Sequence, residues 1–396
     1  MHAKMTIDPP IIPQWKDHPK SWGHTFHPMC SYMAMFPPRL PHYFIQRFTN
    51  PGDRVLDPFS GRGTTPLQAC VNGRIGIAND LNPLAFALSR AKLAPPKLDQ
   101  ALARLDELQA GYRPVDWPPP DDQADISAVF HKATLQQLCY LRKVLMDEPA
   151  DNFIRAAILG IMHGKYRRKG DDSIYLSIDM PNTFSMSPRY IRNYVLQHRI
   201  KSLELDVFEK TQKRLKRLYR DPIPTTTGEA YNLNARNLSQ AVAPESVALI
   251  FSSPPYLKVI KYGLYNWIRL WFLGVDHTVI DTTLDDGHNL NSYLTSMEET
   301  ILVLERLLKP GGMCALVIGD VASPGKPAID LARAVWEHVA KITVLQNVAI
   351  VDDHIADHTK VTKIWNARRG RATTIDRILV LCKGDRPGVN HPEVEW

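Results

Sequence analysis

Apolar residues cluster into short strand-length runs in two separate stretches of the 396-residue chain. In the first stretch, Arg54–Asp57 and Ile75–Asp80 have the length and composition of buried strands. Each run is followed by a helical pattern, over Thr64–Val71 and Pro83–Leu93. The alternation of strand and helix predicts the opening of a doubly wound parallel sheet.

The same alternation returns after residue 226. It predicts five strands, at Glu229–Asn232, Val247–Ser252, Met313–Ile318, Ile342–Val351 and Arg377–Leu381. It also predicts helices at Tyr262–Leu273, Asn291–Leu308 and Ala328–Lys341. Since no helical pattern separates the last two strands, we expect a sheet of seven strands that ends in an antiparallel hairpin.

The stretch between these two parts has only helical patterns. They cover Leu98–Leu108, Leu135–Leu145, Phe153–His163 and Leu203–Leu218, with prolines at both ends of the stretch. We therefore predict one α/β domain formed by residues 1–96 and 226–396, interrupted by a helical insertion at residues 97–225.

Positive charge is concentrated in the predicted insertion. The whole chain carries 48 basic and 41 acidic residues, a net charge of +7. Residues 155–220 alone contain 15 basic and 6 acidic residues, or +9, so this segment favours a polyanionic partner. The candidate phosphate-binding residues are Arg167, Arg168, Lys169, Arg214 and Arg217, with Arg368, Arg369 and Arg371 in the loop of the predicted terminal hairpin.

The overall composition is typical of a globular protein, with 44% apolar and 22% charged residues. No apolar run approaches the length of a membrane span. The five cysteines lie far apart, which indicates neither a zinc site nor a disulfide framework. These features predict a protein of the reducing cytoplasm with no metal and no membrane partner.

The first candidate motif is Asp57-Pro58-Phe59-Ser60-Gly61-Arg62-Gly63-Thr64-Thr65, which lies between a strand and a helix. Its glycines allow a tight turn and a close approach of the backbone to a ligand. Asp57 could accept a hydrogen bond from a ligand amine, and Asp80, at the end of the next strand, could bind ribose hydroxyls. Pro66 replaces the third glycine of the dinucleotide fingerprint, so the turn favours a nucleoside without a pyrophosphate.

The second candidate motif is Ser252-Ser253-Pro254-Pro255-Tyr256, directly after an apolar strand. Two consecutive prolines cannot extend a central strand, but they fix the backbone and leave carbonyl groups as acceptors. The motif therefore places a hydroxyl, a carbonyl and an aromatic ring at the carboxyl end of a strand, where doubly wound sheets bind ligands.

Together these motifs resemble those of the amino-methylating DNA methyltransferases. Asp57–Thr65 resembles their S-adenosyl-L-methionine (AdoMet) motif, Asp-Pro-Phe-x-Gly-x-Gly-Thr-Thr, and Ser253–Tyr256 resembles the Ser-Pro-Pro-Tyr of the cytosine-N4 branch. His27–Pro38 is similar to the arm that closes over the methionine part of AdoMet. Asn234–Leu238 stands at the third motif, and Leu308–Gly312 resembles the loop before the fifth strand. The resemblance covers about residues 22–96 and 226–384.

The resemblance implies a class I AdoMet-dependent methyltransferase fold, a Rossmann-like seven-stranded sheet, in which the helical insertion recognises the DNA target. It implies AdoMet as cofactor and duplex DNA as substrate. Whether a cognate restriction endonuclease accompanies the protein, as in a restriction-modification system, stays open. The protein would then be cytoplasmic and associated with a bacterial or archaeal nucleoid. The implied cofactor-binding residues are Asp57, Pro58, Phe59, Gly61, Gly63, Thr64, Thr65, Asp80, Leu81, Asn82, His27 and Asn234.

The implied catalytic residues are Ser253, Pro254, Pro255 and Tyr256. Ser253 Oγ and the Pro254 carbonyl would accept the hydrogens of the cytosine amine, and Tyr256 would stack on a base flipped out of the duplex. Methylation at carbon 5 fits poorly, because it needs a cysteine nucleophile, usually after proline, and the chain has no Pro-Cys.

Several alternatives stay open at this point. Adenine-N6 methylation requires only a crossover within the same family. RNA or tRNA guanine-N2 methyltransferases share the AdoMet turn but usually carry Asp or Asn where this chain has Ser253. A catalytically silent AdoMet-binding protein would be favoured by loss of Asp57 or Tyr256, and both are present. A nicotinamide dehydrogenase is disfavoured by Pro66.

Overall fold

A central sheet organises the chain in the computed structural model, which describes residues 10–33, 35–118, 124–164, 174–180, 186–255, 261–283, 289–323, 326–354 and 375–384. In these ranges the strands are β1 Arg54–Asp57, β2 Ile75–Asn79, β3 Glu229–Tyr231, β4 Val247–Ser252, β5 Leu308–Gly319, β6 Val321–Ser323, β7 Lys326–Ile329, β8 Leu345–His354 and β9 Ile375–Lys383. All but β6 and β7, which form a separate hairpin, belong to one seven-stranded sheet.

The order of strands in this sheet is β3-β2-β1-β4-β5-β9-β8. Strands β1 to β5 pair in parallel, whereas β9 lies antiparallel between β5 and β8. This arrangement confirms the predicted class I methyltransferase fold with its antiparallel terminal hairpin. The chain order reverses between β1 and β4, and that reversal marks the crevice in which such sheets bind ligands.

Helices cover both faces of the sheet and make up the insertion. They are α1 Arg39–Phe48, α2 Thr64–Val71, α3 Pro83–Leu93, α4 Leu98–Gly111, α5 Ala124–Ser127, α6 Lys132–Val144, α7 Pro149–Ile161, α8 Pro188–His198, α9 Val207–Leu218, α10 Tyr262–Tyr265, α11 Trp267–Phe272, α12 His277–Thr283, α13 Leu290–Leu307 and α14 Leu331–Val339. Every residue of β4 is buried, as expected for a parallel strand covered on both faces.

Strands β1 and β4 and helices α2 and α3 have the bounds predicted from the sequence. Two predicted helices start too early. Leu203–Leu218 begins only at Val207, because the Asp206 side chain caps the helix by accepting from the Glu209 amide at 2.8 Å. Ala328–Lys341 is reduced to α14, because Ala328 and Ile329 pair with β6. Helices α1 and α8 were not predicted.

The insertion packs directly on the α/β part. Buried apolar side chains of α4, α6, α7 and α9 form one continuous cluster with those of α3 and α11. The N-terminal arm joins this cluster through Phe26, whose ring lies 5.1 Å from that of Phe153 and 5.3 Å from that of Tyr219, centre to centre. The arm is therefore held between α7 and the end of α9.

The described part of the chain contains neither a membrane-spanning helix nor a cluster of metal ligands. No helix there is long and apolar enough to cross a membrane. The same residues contain no group of three or more His, Cys, Asp or Glu side chains that could hold a metal ion. All five cysteines are free thiols.

The contact between α7 and the arm gives a first prediction. A Cβ atom at Gly160 would lie 2.0 Å from the Met29 carbonyl oxygen, so Gly160→Ala forces the arm away from α7. We expect a loss of about 1–3 kcal/mol in unfolding free energy, although alanine favours a helix by about 1 kcal/mol. Urea denaturation of the variant and the wild type measures this difference in unfolding free energy. Gly111→Ala is the control, because a Cβ atom at Gly111 would approach the hydroxyl end of the Tyr140 side chain and no backbone atom outside its own helix. Equal effects would contradict the prediction.

Candidate functional site

Polar side chains from β1 and β4 meet at the carboxyl end of the sheet. Asp57 ends β1 and Ser252 ends β4, and these strands are neighbours, with Leu56 in register with Ile250. The Ser252 hydroxyl donates to Asp57 Oδ1 at 2.5 Å, and both side chains are buried. The two sequence motifs, 195 residues apart in the chain, are therefore brought together by one hydrogen bond.

The two oxygens of the Asp57 carboxylate differ in their hydrogen bonds. Oδ1 accepts from Ser252 and from the Phe59 amide at 3.2 Å, whereas Oδ2 is buried and has no hydrogen-bond partner. Burial raises the pKa of Asp57 to about 7, although hydrogen bonding with Ser252, the Phe59 amide and Thr65 opposes the shift. An acceptor this costly to bury is suited to a cationic donor such as a protonated amine.

The glycine-rich turn follows Asp57 and has the predicted close contacts. Gly61 and Gly63 have φ angles of +51° and +76°, values that L-residues with a side chain rarely adopt. A Cβ atom on Gly63 would lie 3.1 Å from the Cα atom of Ser89 in α3. The turn therefore packs against α3, and glycine is required at Gly63.

Asp80 fastens the turn to the end of β2. Its Oδ2 accepts from the Gly61 amide at 2.8 Å and its Oδ1 from the Asn82 amide at 2.9 Å. Burial raises the pKa of Asp80 to about 6, while these two bonds lower it. Each carboxylate oxygen keeps a second lone pair, so the predicted contact with ribose hydroxyls is compatible with this fastening role.

Leu81 and Asn82 follow Asp80 and begin α3. The Leu81 carbonyl accepts from Asn232 Nδ2 at 3.0 Å, and Asn82 Oδ1 caps α3 by accepting from the Leu84 amide at 3.0 Å. Asn82 Nδ2 donates to the hydroxyl of Tyr32 at 3.0 Å. Both residues predicted to bind cofactor therefore serve first to order the end of β2.

Tyr32 connects the arm to the site. It lies within the predicted arm His27–Pro38 but was not singled out there. Its ring lies 3.3 Å from the position that a Cβ atom on Gly61 would take. The same ring stacks on Tyr262 with 5.9 Å between centres, and Tyr262 begins the first helix after the Ser-Pro-Pro-Tyr segment. The arm, the glycine turn and the segment after the catalytic motif thus meet around one aromatic pair.

Asn79, the last residue of β2, is a second site residue that sequence reasoning missed. Its Nδ2 donates to the carbonyls of Pro58 and Leu233, both at 3.0 Å, and its Oδ1 accepts from the Leu233 amide at 3.1 Å. This side chain ties together the loops that follow β1, β2 and β3. A polar residue closing a buried strand is the signal that could have identified it.

Helix α2 begins directly after the glycine turn, with Thr64 and Thr65 in its first turn. Thr65 is fully buried, and its hydroxyl lowers the pKa of the neighbouring Asp57 carboxyl. Phe59 packs against the apolar cluster below the sheet end. The first turn of a helix presents free amides and favours negative charge.

His27 lies on the arm next to α2. Its Nε2 is 3.0 Å from Gln68 Oε1, and the Gln68 amide is oriented by donating to Asn72 Oδ1 at 2.8 Å. His27 Nδ1 is buried without a partner. Burial, and then the charges of Lys92 and Arg62, lower the pKa of His27 well below its usual value. The imidazole is therefore neutral in the free protein.

The Ser-Pro-Pro-Tyr segment, predicted to be catalytic, is partly described. The Ser253 hydroxyl donates to the Val317 carbonyl of β5 at 3.1 Å, Pro254 is buried, and Pro255 is exposed. Tyr256 lies outside the described residues. A hydroxyl that donates in this direction turns its lone pairs to the other side, where they can accept.

Asn234 has a local role in the structure. Its Oδ1 accepts from the Arg236 amide at 3.0 Å and from Arg236 Nε at 3.2 Å, which caps the short 3-10 helix Ala235–Gln240. Its predicted contact with the cofactor stays a prediction.

The candidate phosphate-binding residues separate into three groups. Arg217 is exposed on α9. Arg214 turns inward: its Nη2 donates to the carbonyls of Pro28 and Met29, each at 2.8 Å, so it braces the arm and is not an open phosphate contact. The remaining candidates lie outside the described residues: Arg167, Arg168, Lys169, Arg368, Arg369 and Arg371.

Comparisons with known proteins agree with the first half of this site. Residues 11–88, which include the arm and the glycine turn, match a family model described as DNA methylase. The chain is 39% identical over 70 residues to the type II methyltransferase M.MjaII of Methanocaldococcus jannaschii, covering 18% of this chain and 13% of that protein. It is 32% identical over 93 residues to M.MvaI of Kocuria varians, covering 22% and 20%. The matches thus span a fifth or less of either relative's length.

Among solved structures, the chain is similar to TrmN from Thermus thermophilus, with 13% identity and a TM-score of 0.35 over 90% of this chain and 52% of that one. The residue-level matches are confined to part of the chain, and the family model ends before Ser253.

The raised pKa of Asp57 predicts that the unfolding free energy depends on pH in an unusual way. Its pKa of about 7 in the folded protein exceeds the ordinary 3.8, so its contribution to stability is full below pH 4 and is lost as the pH rises towards 7. Asp57→Asn should remove that loss. The unfolding free energy of the variant, minus that of the wild type, should therefore increase between pH 4 and 7.

Denaturant titrations of the ligand-free protein between pH 4.5 and 7.5 measure this difference. Asp53→Asn is the matched control, because Asp53 lies just before the other end of β1 and pairs with Lys309 at 2.7 Å. The prediction fails if Asp57→Asn and wild type lose stability in parallel across this range.

Proposed function

We propose that the chain is an AdoMet-dependent DNA methyltransferase that modifies the N4 amine of cytosine in a specific duplex sequence. The observation that carries the proposal is the hydrogen bond from Ser252 to Asp57, which sets the glycine turn beside the Ser-Pro-Pro segment. A nucleoside cofactor and a nucleophile could meet there. The DNA methylase family match and the names of the two type II relatives support DNA as the substrate.

The residues present fit AdoMet. Asp57 Oδ2 is a buried acceptor without a partner, as the ammonium group of the cofactor requires. Asp80, at the end of β2, has lone pairs left for the ribose hydroxyls. Gly61 and Gly63 give the backbone the curvature that lets a ligand approach closely. AdoMet supplies a methyl group on a positively charged sulfur, which makes that carbon electrophilic.

Ser253 and Pro254 would activate the amine. The exocyclic nitrogen of cytosine is a weak nucleophile, because its lone pair is delocalised into the ring. Acceptors on both amine hydrogens favour a pyramidal nitrogen and stabilise the positive charge that grows during attack. Ser253 is oriented for this role by its bond to Val317. The nitrogen forms a bond to the methyl carbon, the carbon–sulfur bond breaks with its electrons going to sulfur, and water then takes the amine proton.

The target base would be flipped out of the duplex, because a stacked and paired amine cannot reach the methyl group. Tyr256 is proposed to stack on the extruded base. The preference for cytosine rests on a serine at Ser253, a residue that accepts hydrogen bonds without carrying charge. Adenine-N6 and RNA guanine-N2 methylation remain the alternative reactions. A cytoplasmic location follows from the same proposal, which leaves open whether an endonuclease accompanies the protein.

The decisive experiment incubates the purified protein with unmethylated DNA and labelled AdoMet, followed by mass spectrometry of the digested nucleosides. We expect N4-methylcytosine. N6-methyladenine would overturn the role given to Ser253, and transfer to RNA alone would overturn DNA as the substrate.

Substitution of Ser253 tests its role within that assay. We expect Ser253→Ala to lower kcat by about 100- to 1000-fold, the usual effect of removing one group that stabilises transition-state charge. Ser246→Ala is the matched control, because Ser246 precedes the other end of β4 and its hydroxyl donates to the nearby Ala243 carbonyl. Full turnover by Ser253→Ala would exclude the proposed activation.

Helix α8 is proposed as a DNA-contacting surface in the insertion. Residues 188–201 contain Arg189, Arg192, Arg199 and Lys201 and no acidic residue. Within α8, Ile191 is the single buried side chain, so the helix is open to solvent. The residue before its cap, Met186, accepts from the Trp267 indole at 2.9 Å, which joins α8 to the helices after the catalytic segment.

The contribution of α8 can be measured through salt dependence. Arg189→Gln with Lys201→Gln removes two exposed cations, which should reduce the slope of log K against log salt by about 1.8. Lys97→Gln with Lys341→Gln is the control, because it removes the same charge from two exposed positions outside residues 188–201. Equal slopes for the two double variants in DNA-binding titrations would refute the role of α8.

A further inference from the structure

Arg269, on α11, is a fully buried cation that the proposed reaction does not use. None of the ion pairs of the described residues involves it. Its charge reaches the buried His163, whose pKa is lowered well below its usual value by burial first and by Arg269 second. A buried cation without an anion costs free energy. The retention of such a group points to a role for its hydrogen bonds.

The guanidinium of Arg269 donates to three separate parts of the chain. Its Nε donates to the Leu159 carbonyl of α7 at 3.0 Å, and its Nη2 donates to Ser31 Oγ of the arm at 3.3 Å. Its Nη1 donates to Asn266 Oδ1, just before α11, at 3.0 Å. Leu159 lies in the last turn of α7, where the partial negative charge of the helix end favours a cation. One side chain therefore joins the insertion, the arm and the helices after the Ser-Pro-Pro-Tyr segment.

Two of these hydrogen bonds lead to the same aromatic pair. Asn266 Nδ2 donates to the Tyr262 carbonyl at 3.0 Å, while Ser31 directly precedes Tyr32 in the chain. The rings of Tyr32 and Tyr262 stack with 5.9 Å between centres. The contacts thus close a ring that starts and ends at Arg269. The partners of the Asn266 amide are a donor on one side and an acceptor on the other, so its orientation is fixed.

The aromatic pair lies against the glycine turn. The Tyr32 ring is 3.3 Å from the position of a Cβ atom on Gly61, and its hydroxyl accepts from Asn82 Nδ2 at 3.0 Å. The pKa values of Tyr32 and Tyr262 are both raised, by burial first and by the charge of Asp80 second. Both hydroxyls are therefore within electrostatic range of the carboxylate at the end of β2. A displacement of the pair would reach the turn and Asp80 together.

We infer that Arg269 is a positioning residue that holds Tyr32 and Tyr262 against the glycine turn and so makes cofactor affinity depend on the insertion. This inference rests on the proposed function, in which the turn binds AdoMet. The planar guanidinium suits the task, because its N–H groups point in fixed and different directions. A lysine ammonium at the same place is a point charge on a flexible stem and cannot hold three segments in one geometry.

Arg74 provides a matched control inside the same protein. It is also buried, and it precedes β2, at the end of that strand opposite Asn79. Its nitrogens donate to Thr49 Oγ1 at 3.0 Å, to the Thr49 carbonyl at 2.7 Å and to the Asn72 carbonyl at 2.5 Å. Replacing Arg74 therefore removes a buried guanidinium with three hydrogen bonds, none of which leads to the arm or to the aromatic pair.

The test compares Arg269→Met with Arg74→Met in two measurements on the full chain. The dissociation constant of AdoMet is measured by calorimetry without DNA, and amide hydrogen exchange of residues 27–33 is measured without ligand. We expect Arg269→Met to weaken AdoMet binding about 10-fold, within the range for a residue that acts through its neighbours. It should also speed exchange of the arm. Arg74→Met should leave both readouts unchanged, although both variants lose stability.

A double-mutant cycle with Tyr262→Leu tests whether Arg269 acts through the aromatic pair. Once Tyr262 is replaced, Arg269→Met should weaken AdoMet binding by less than about 2-fold more, because the pair that it holds is already lost. Asn266→Ala breaks the same ring of contacts at its next member. It serves as the second variant should Arg269→Met fail to fold, and it should change both readouts in the same direction.

The outcomes separate the positioning role from the proposed function. Unchanged AdoMet affinity and arm exchange in Arg269→Met would overturn the inference and leave the function standing. Equal effects of Arg269→Met and Arg74→Met would reduce the role of Arg269 to stability alone and overturn it as well. Additive losses in the cycle would exclude the aromatic pair as its route. A wild type that binds no AdoMet would overturn the function, while faster arm exchange in Arg269→Met would still support the positioning of the pair.

Discussion

The hydrogen bond between Ser252 and Asp57 fixes the geometry on which the whole site depends. It joins the carboxyl ends of β1 and β4, which pair directly although the insertion separates them in the chain. Both groups are buried, so the bond forms where competition from water is small. If β4 slipped by one residue, Ser252 would turn to the other face of the sheet and Ser253 would lose its contact with Val317. The register of two central strands therefore sets the distance between cofactor turn and catalytic segment.

The arm and the insertion depend on each other around that site. Arg214 of α9 holds the arm at Pro28 and Met29, and Gly160 of α7 lets the arm approach closely. Tyr32 of the arm in turn contacts the glycine turn and Tyr262. An insertion that supports the arm is coupled to the cofactor site as well as to any polyanion on its outer surface. A residue such as Arg214 can therefore appear to be a phosphate contact in the sequence and act as a brace in the fold.

The sequence predicted the sheet well, because buried strands and the helices between them leave periodic patterns. Strand β4 and helix α2 were predicted to the residue for this reason. Helix α8 was missed, and it buries a single side chain, Ile191. Asn79 was missed because its importance comes from partners distant in the chain, which no local pattern encodes. Sequence motifs identified the glycine turn and the Ser-Pro-Pro-Tyr segment. The residues that connect these two parts were found only from their contacts in the structure.

The electrostatics of the free site are unfavourable at Asp57. Its carboxyl group is buried, and burial raises its pKa to about 7 although several hydrogen bonds oppose the shift. Packing to the best stability would pair such a group with a cation or replace it with an apolar side chain. A ligand that brings a cationic donor to Asp57 would recover the lost stability by mass action. The buried Asp57 therefore costs stability in the free protein in a way that favours binding of a cationic group.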